Sequence, residues 1–344
     1  MSTLRRYEAQ KTYQWNYDHP PRVQPFAARE LNETWGFAGH EITSPLGVAA
    51  GPLLNGDWCL YYANLGFDVV TYKTVRSGKR PCYDLPNLQP VECEQLSGGE
   101  KNLSVSSEMN GSWAVSYGMP SQDPATWRQD IHRTRTLLDK KKKLSVSVVG
   151  TTQDGWTLEQ LASDYALCAR LAVDAGADAI EMNFSCPNVS TCDGQLFQDA
   201  SAANRVATRV RESLGDAALF VKVGHMTSRD AVNRLVDALA PTVNGLVMTN
   251  SIAATVVGSD GRLMFNGQPR GICGAAIRNS SIRQVEQAVE YIGKNNLQLE
   301  VIGVGGICTV EHVKQYLAAG ASTVQLATAV MLQPDVGLKI RERW

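Results

Sequence analysis

The segment EVIGVGGICTVEHVKQYLAA, residues 300–319, holds one complete structural unit. Its apolar, β-branched run from Glu300 to Val304 stops at Gly305 and Gly306, and from Val310 to Ala319 the apolar residues return at helical spacing. A short apolar strand feeding an amphipathic crossover helix is how a parallel sheet with a covered outer face reads. The unit repeats in the N-terminal direction and once more beyond. Strands are expected at Leu46 to Ala50, Asp68 to Lys73, Leu144 to Val149, Ala179 to Asn183, Leu219 to Val223, Gly245 to Thr249, Glu300 to Val304 and Ser322 to Leu326. Helices are expected at Leu158 to Ala175, Ala203 to Leu214, Ser228 to Leu239 and Ser280 to Ile292. Eight such strands predict an α/β chain folded as a (β/α)8 TIM barrel.

Two stretches stand outside that pattern. Residues 1–40, broken by Pro20, Pro21 and Pro25, read as an N-terminal arm on a barrel domain at 41–344. Its Trp15, Tyr17 and Trp35 suit packing on the chain's own barrel better than docking to a partner. Thr74 to Lys143 is too long for a plain loop and is expected to form an insertion over the barrel mouth, with a short helix at Trp127 to Leu138. The run Lys140 to Lys143 reads as a solvated helix end.

Composition narrows the function classes. The 344 residues carry 33 basic and 34 acidic side chains, a formal charge of −1, so no basic field exists to gather nucleic-acid phosphates. A chain of this size buries enough surface to fold without staples. The eight cysteines include no C-x-x-C pair and no zinc-like spacing with histidine, which points to reduced thiols and no metal. No stretch reaches the roughly 18 apolar residues of a membrane helix, and the N-terminus lacks a signal-type apolar region. The expectation is a cytoplasmic protein with no membrane contact.

In a barrel of this kind the chemistry sits where strands end. Ala50-Gly51, Lys73-Thr74, the run from Asn183 to Asn188, Lys222, Thr249-Asn250-Ser251, Gly305-Gly306 and Ala327-Thr328 all follow apolar runs. The Gly305-Gly306 turn before a helix offers free backbone N–H groups to a phosphate, with Gly271 to Gly274 and Thr328 in support. Lys73 and Lys222 at one mouth must be paired or face an anion. Positive charge beside a phosphate site favours flavin mononucleotide, FMN, over a sugar phosphate. An aldolase-like or isomerase-like barrel with a working lysine is the flavin-free alternative.

The segment EMNFSCPN, residues 181–188, resembles the active-site run of the dihydroorotate dehydrogenase family. LGVAAGP, VTYKTV, SYGMPS, FVKVG, VMTNS, GICGAAI, VIGVGGI and VQLATAVM follow the family's order over residues 40 to 331. The resemblance implies oxidation of dihydroorotate to orotate, with a hydride passed to flavin N5 and a proton to Cys186. It implies that FMN is held by Ala49, Ala50, Gly51, Lys73, Thr74, Ser147, Asn183, Lys222, Thr249, Asn250, Gly274, Gly305, Gly306, Ala327 and Thr328. Substrate would meet Lys73, Ser116, Tyr117, Gly118, Met119, Asn183, Asn188, Asn250 and Ser251. Cys186, where the membrane-associated branch has serine, places the chain with the soluble, cysteine-base branch. The same resemblance implies a homodimer and allows an electron-transfer partner subunit.

The main departure is Val115 in AVSYGMPS, residues 114–121, where the family carries an asparagine that hydrogen-bonds the pyrimidine. A polar substrate group left unpaired costs about 1–3 kcal/mol. Asn110 and Ser116 are the candidates to compensate. A dihydropyrimidine dehydrogenase-like enzyme, whose substrate lacks the carboxylate, is the alternative within the same chemistry. A divergent flavoenzyme acting on another dihydro-heterocycle, or a non-catalytic relative that keeps FMN, is the remaining one.

Overall fold

The computed structural model describes residues 4–22, 25–100, 102–185 and 195–344, so Cys186, Asn188 and Cys192 lie outside the described residues. Eight parallel strands close into a barrel in chain order: Leu46–Val48, Val69–Val75, Lys143–Val148, Ala179–Asn183, Ala218–Lys222, Gly245–Met248, Glu300–Val304 and Thr323–Leu326. The last strand pairs with the first, Val324 opposite Leu46. Valine and isoleucine fill these runs because both faces are covered; Val69–Val75 is buried at every position. Crossover helices wrap the outside. The helix Leu158–Asp174 begins in a capping box, Thr157 with Gln160, and buries Leu161, Tyr165, Cys168 and Ala172 on the sheet.

The lower end of the barrel is plugged. The hairpin Trp35–Phe37 and His40–Ile42 stacks Phe37 on Phe220 at a centroid distance of 5.3 Å. Ala49, Val69, Ala179, Val247 and Ile302 share that core cluster, so the interior is packed rather than hollow.

The upper end carries a second, five-stranded closed sheet: Leu88–Glu92, Asn102–Val105, Ser112–Val115, Ile252–Val257 and Arg270–Gly274. It has its own core of Val91, Leu103, Ala114, Ile252, Val256 and Ile272. Two insertions build it, one after barrel strand two and one after strand six. The sequence showed only the first. The helix assigned to that insertion, observed at Pro124–Leu137, is instead the crossover between barrel strands two and three, packed on strand two and on the helix Gly56–Asn64. Gly271 to Gly274, read as a phosphate turn, is mostly an antiparallel strand of the cap; Gly274 alone, at φ +100°, has turn geometry.

Lys142 is likewise no solvated lysine. Its Nζ donates to the Ala63 and Phe67 carbonyls and sits 3.2 Å from Asp68 Oδ1. Arg341, on the C-terminal helix Val336–Glu342, donates from Nη2 to the same oxygen at 2.7 Å, while Thr43 donates to Asp68 Oδ2 from N and Oγ1. This buried carboxylate ties the C-terminus to the lower end of the barrel. Removing it strands the Arg341 charge in a dry site. Asp68→Ala is expected to destabilise the fold by about 3–5 kcal/mol, read as a lower urea midpoint at unchanged slope.

Candidate active site

The strand ends open into two adjoining cavities beneath the cap, which share Asn250, Cys273, Val304, Ala327 and Thr328. The first is lined by Ala49, Ala50, Gly51, Lys73, Thr74, Tyr117, Met119, Asn183, Lys222 and Ser251 from the barrel and its loops, with Leu88, Trp113 and Val115 from the cap. The second is lined by Gly274, Gly305 and Gly306. Thus strands far apart in sequence bring most of the sequence-derived residues to one connected space. Cys186 and Asn188 lie outside the described residues.

The glycine end is shaped for close approach. Gly305 and Gly306 have φ of +135° and +66°, which L side chains rarely adopt. A Cβ on Gly306 would stand 2.8 Å from the Gly274 carbonyl, and one on Gly274 would overlap Gly111. Tyr316 passes under the turn and donates to the Gly305 carbonyl at 2.8 Å, a position open because Gly303 carries no side chain there. The helix Val310–Ala318 starts just beyond, capped by Thr309. Bare backbone here can meet a phosphate group.

The floor of the first cavity is polar and buried. Lys222 Nζ lies 3.8 Å from Glu181 Oε1, with side chains 6% and 1% exposed. Gln325 Nε2 donates to Glu181 Oε2 at 3.2 Å and to Thr71 Oγ1 at 3.3 Å. Glu181 Oε1, Gln325 Oε1 and Thr249 Oγ1 have no hydrogen-bond partner. Orphaned buried polar atoms are uncommon and mark a ligand or water site. Ser147 sits within the barrel, sharing a 2.9 Å hydrogen bond with Thr74. Glu181 and Asn183, two residues apart on the strand Ala179–Asn183, share one face of it.

The residues of the 114–121 loop divide. Met119, at φ +52°, is held by Arg76, whose Nε donates to its carbonyl at 3.1 Å. Gly118 has φ +71°, and a Cβ there would strike the Tyr83 ring. The ring of Tyr117 lies 5.0 Å from Lys73 Nζ. Ser116 turns its hydroxyl to Arg270, accepting from Nε at 2.8 Å, and Asn110 Nδ2 donates to the Val91 carbonyl. Neither expected substitute therefore offers its side chain where Val115 stands. Asn183 holds its Oδ1 toward Ser185, and Asn250 Nδ2 donates to the Ser185 carbonyl at 3.2 Å, fixing both amides at the entrance to the motif loop. Among the described residues no His, Cys, Asp or Glu cluster could hold a metal ion, and no helix is long and apolar enough to cross a membrane.

Comparison with known proteins agrees with this geometry. The family model described as dihydroorotate dehydrogenase matches residues 34–343. A dihydroorotate dehydrogenase of Dictyostelium discoideum is 28% identical over 356 residues, covering 97% of this chain and 95% of that protein. The catalytic subunit of a dihydroorotate dehydrogenase B (NAD(+)) from Solidesulfovibrio magneticus is 31% identical over 183 residues, 52% of this chain and 56% of that one. The crystal structure of Eimeria tenella DHODH in complex with ferulenol superimposes with a TM-score of 0.72 at 17% identity, over 90% of this chain and 82% of that one, a likeness of fold. With a family match that runs through both the barrel and its cap, the chain belongs to the dihydroorotate dehydrogenase family of oxidoreductases.

Proposed function

We propose that this protein oxidises dihydroorotate to orotate with FMN as its bound cofactor. The observation that carries the reading is the joined pair of cavities, one end bare glycine backbone and the other bearing two buried lysines and two asparagines. Gly274, Gly305, Gly306 and Thr328 would hold the phosphate; Ala49, Ala50, Gly51, Thr74 and Lys222 would border the ring. Bound FMN supplies the acceptor for the hydride.

The chain's own groups do the rest. The Lys73 ammonium draws the substrate carboxylate to the cap side of the cavity, and the Asn183 and Asn250 amides orient the dihydropyrimidine ring. Lys222 keeps positive charge at the floor, where negative charge accumulates during hydride transfer. Cys186, placed in this role by its motif, takes the proton from the ring carbon as its thiolate. The N-terminal arm, 1–40, serves the 41–344 barrel domain as part of one functional unit. Family resemblance supports a cytoplasmic homodimer, reoxidised by a small molecule or a partner subunit.

A second reading has one observation in its favour. Val115, Leu88 and Trp113 give the cavity an apolar wall where the family has an amide, so one hydrogen bond to dihydroorotate is lost and a less polar dihydropyrimidine, such as one lacking the carboxylate, is favoured. Steady-state turnover with a dye as electron acceptor separates the two: the first reading gives orotate from dihydroorotate and no oxidation of dihydrouracil. The reverse preference supports the second. Val115→Asn is expected to tighten orotate binding about 3- to 10-fold by calorimetry, because it restores one hydrogen bond. Cys186→Ser is expected to slow anaerobic cofactor reduction at pH 7 by more than about 10-fold, since a serine hydroxyl is scarcely ionised there, with FMN content unchanged.

A further inference from the structure

The arm reaches the active site through three aromatic rings. Tyr117, a wall of the first cavity, donates its hydroxyl to Tyr7 Oη at 2.8 Å, and both residues are buried. Tyr13 meets the Tyr117 ring edge-on at 5.9 Å, and Tyr7 meets it edge-on at 6.5 Å. On the cavity side, Lys73 Nζ lies over that ring, 5.0 Å from its centroid. The arm segment is itself pinned. Tyr61 donates to the Arg5 carbonyl, Asn16 exchanges hydrogen bonds with the Glu8 backbone, and Trp58 Nε1 donates to the Asn16 carbonyl.

We infer that Tyr7 is a positioning residue for substrate binding: by accepting the Tyr117 hydroxyl proton it fixes the ring on which the Lys73 ammonium rests. Two physical effects act together. A phenol that donates its hydroxyl hydrogen gains electron density, which strengthens the pull of its ring face on a cation. The locked ring also removes conformations that Lys73 would otherwise sample, so less order is lost when an anion binds. Burial pushes the Tyr117 and Tyr7 hydroxyls well above their ordinary pKa, so Tyr117 remains a donor at neutral pH. The arm therefore buttresses an active-site wall from behind, 110 residues away in sequence from the loop it holds.

The substrate side of this inference rests on the dihydroorotate reading, so the experiment has one readout that needs no substrate. Tyr7→Phe keeps the ring packing and removes only the acceptor; Tyr117→Phe removes the donor from the other side. Each is expected to raise KM for dihydroorotate and Kd for orotate about 3- to 10-fold, Tyr7→Phe with kcat and FMN content nearly unchanged and Tm lowered by only a few degrees, and the double variant to be no worse than either single one. In the apoprotein, competitive acylation followed by mass spectrometry should show Lys73 labelled about 2- to 5-fold faster in both variants. Unchanged Lys73 labelling, or additive losses in the double variant, would overturn the inference. If the wild type binds neither dihydroorotate nor orotate, the proposed activity fails, and Lys73 labelling alone then decides the role of Tyr7.

Discussion

A lysine and a glutamate enclosed in a barrel mouth set the terms for the rest of this molecule. Lys222 and Glu181 are almost wholly shielded from water, yet they stand 3.8 Å apart, too far for a direct hydrogen bond. Taking two charges out of water costs several kcal/mol each, and an imperfect pair repays that poorly. Gln325 donates to one carboxylate oxygen and the other is left open. Such an arrangement is a poor device for stability. It is well suited to a site that keeps a fixed positive charge beside a ligand that gains electrons.

Everything around the pair isolates or equips it. Below, Phe37 and Phe220 close the barrel, and the Asp68–Arg341–Lys142 cluster clamps the C-terminus, so the rigid end is remote from the reactive one. Above, the cap roofs the mouth and supplies the apolar wall of Leu88, Trp113 and Val115. The glycine turns leave backbone open to close approach, and the arm props the 114–121 loop from behind. The buried polar groups thus face a cavity roofed by the cap, where charges are screened less than in open water.

The barrel was legible because strand and helix periods alternate cleanly; each barrel-strand boundary lies within two residues of its expectation. The glycine turn and the two lysines were legible because both break an apolar run. The cap was half hidden. Ile252–Val257 and Arg270–Gly274 are short strands that pair with each other but close the sheet only through Asn102–Val105 and Ser112–Val115, far away in sequence, so no local period announces the cap. Arg270 and Tyr7 were missed for the same reason: their significance comes from Ser116 and Tyr117, more than a hundred residues distant. Lys142 looked solvated because a lysine run gives no sign of which member turns inward. Glu181 could have been found, since a carboxylate within an apolar strand needs a partner in any barrel interior.

The most direct measurement is an anaerobic one. Protein loaded with FMN is mixed separately with dihydroorotate, dihydrouracil and buffer, and the cofactor's absorbance near ~450 nm is followed as it is reduced. A dihydroorotate dehydrogenase built on this site loses that absorbance with dihydroorotate alone. Retained absorbance with dihydroorotate, in protein that holds FMN fully, contradicts the assignment of the cavity to that substrate, and loss with dihydrouracil alone gives it to a dihydropyrimidine without a carboxylate.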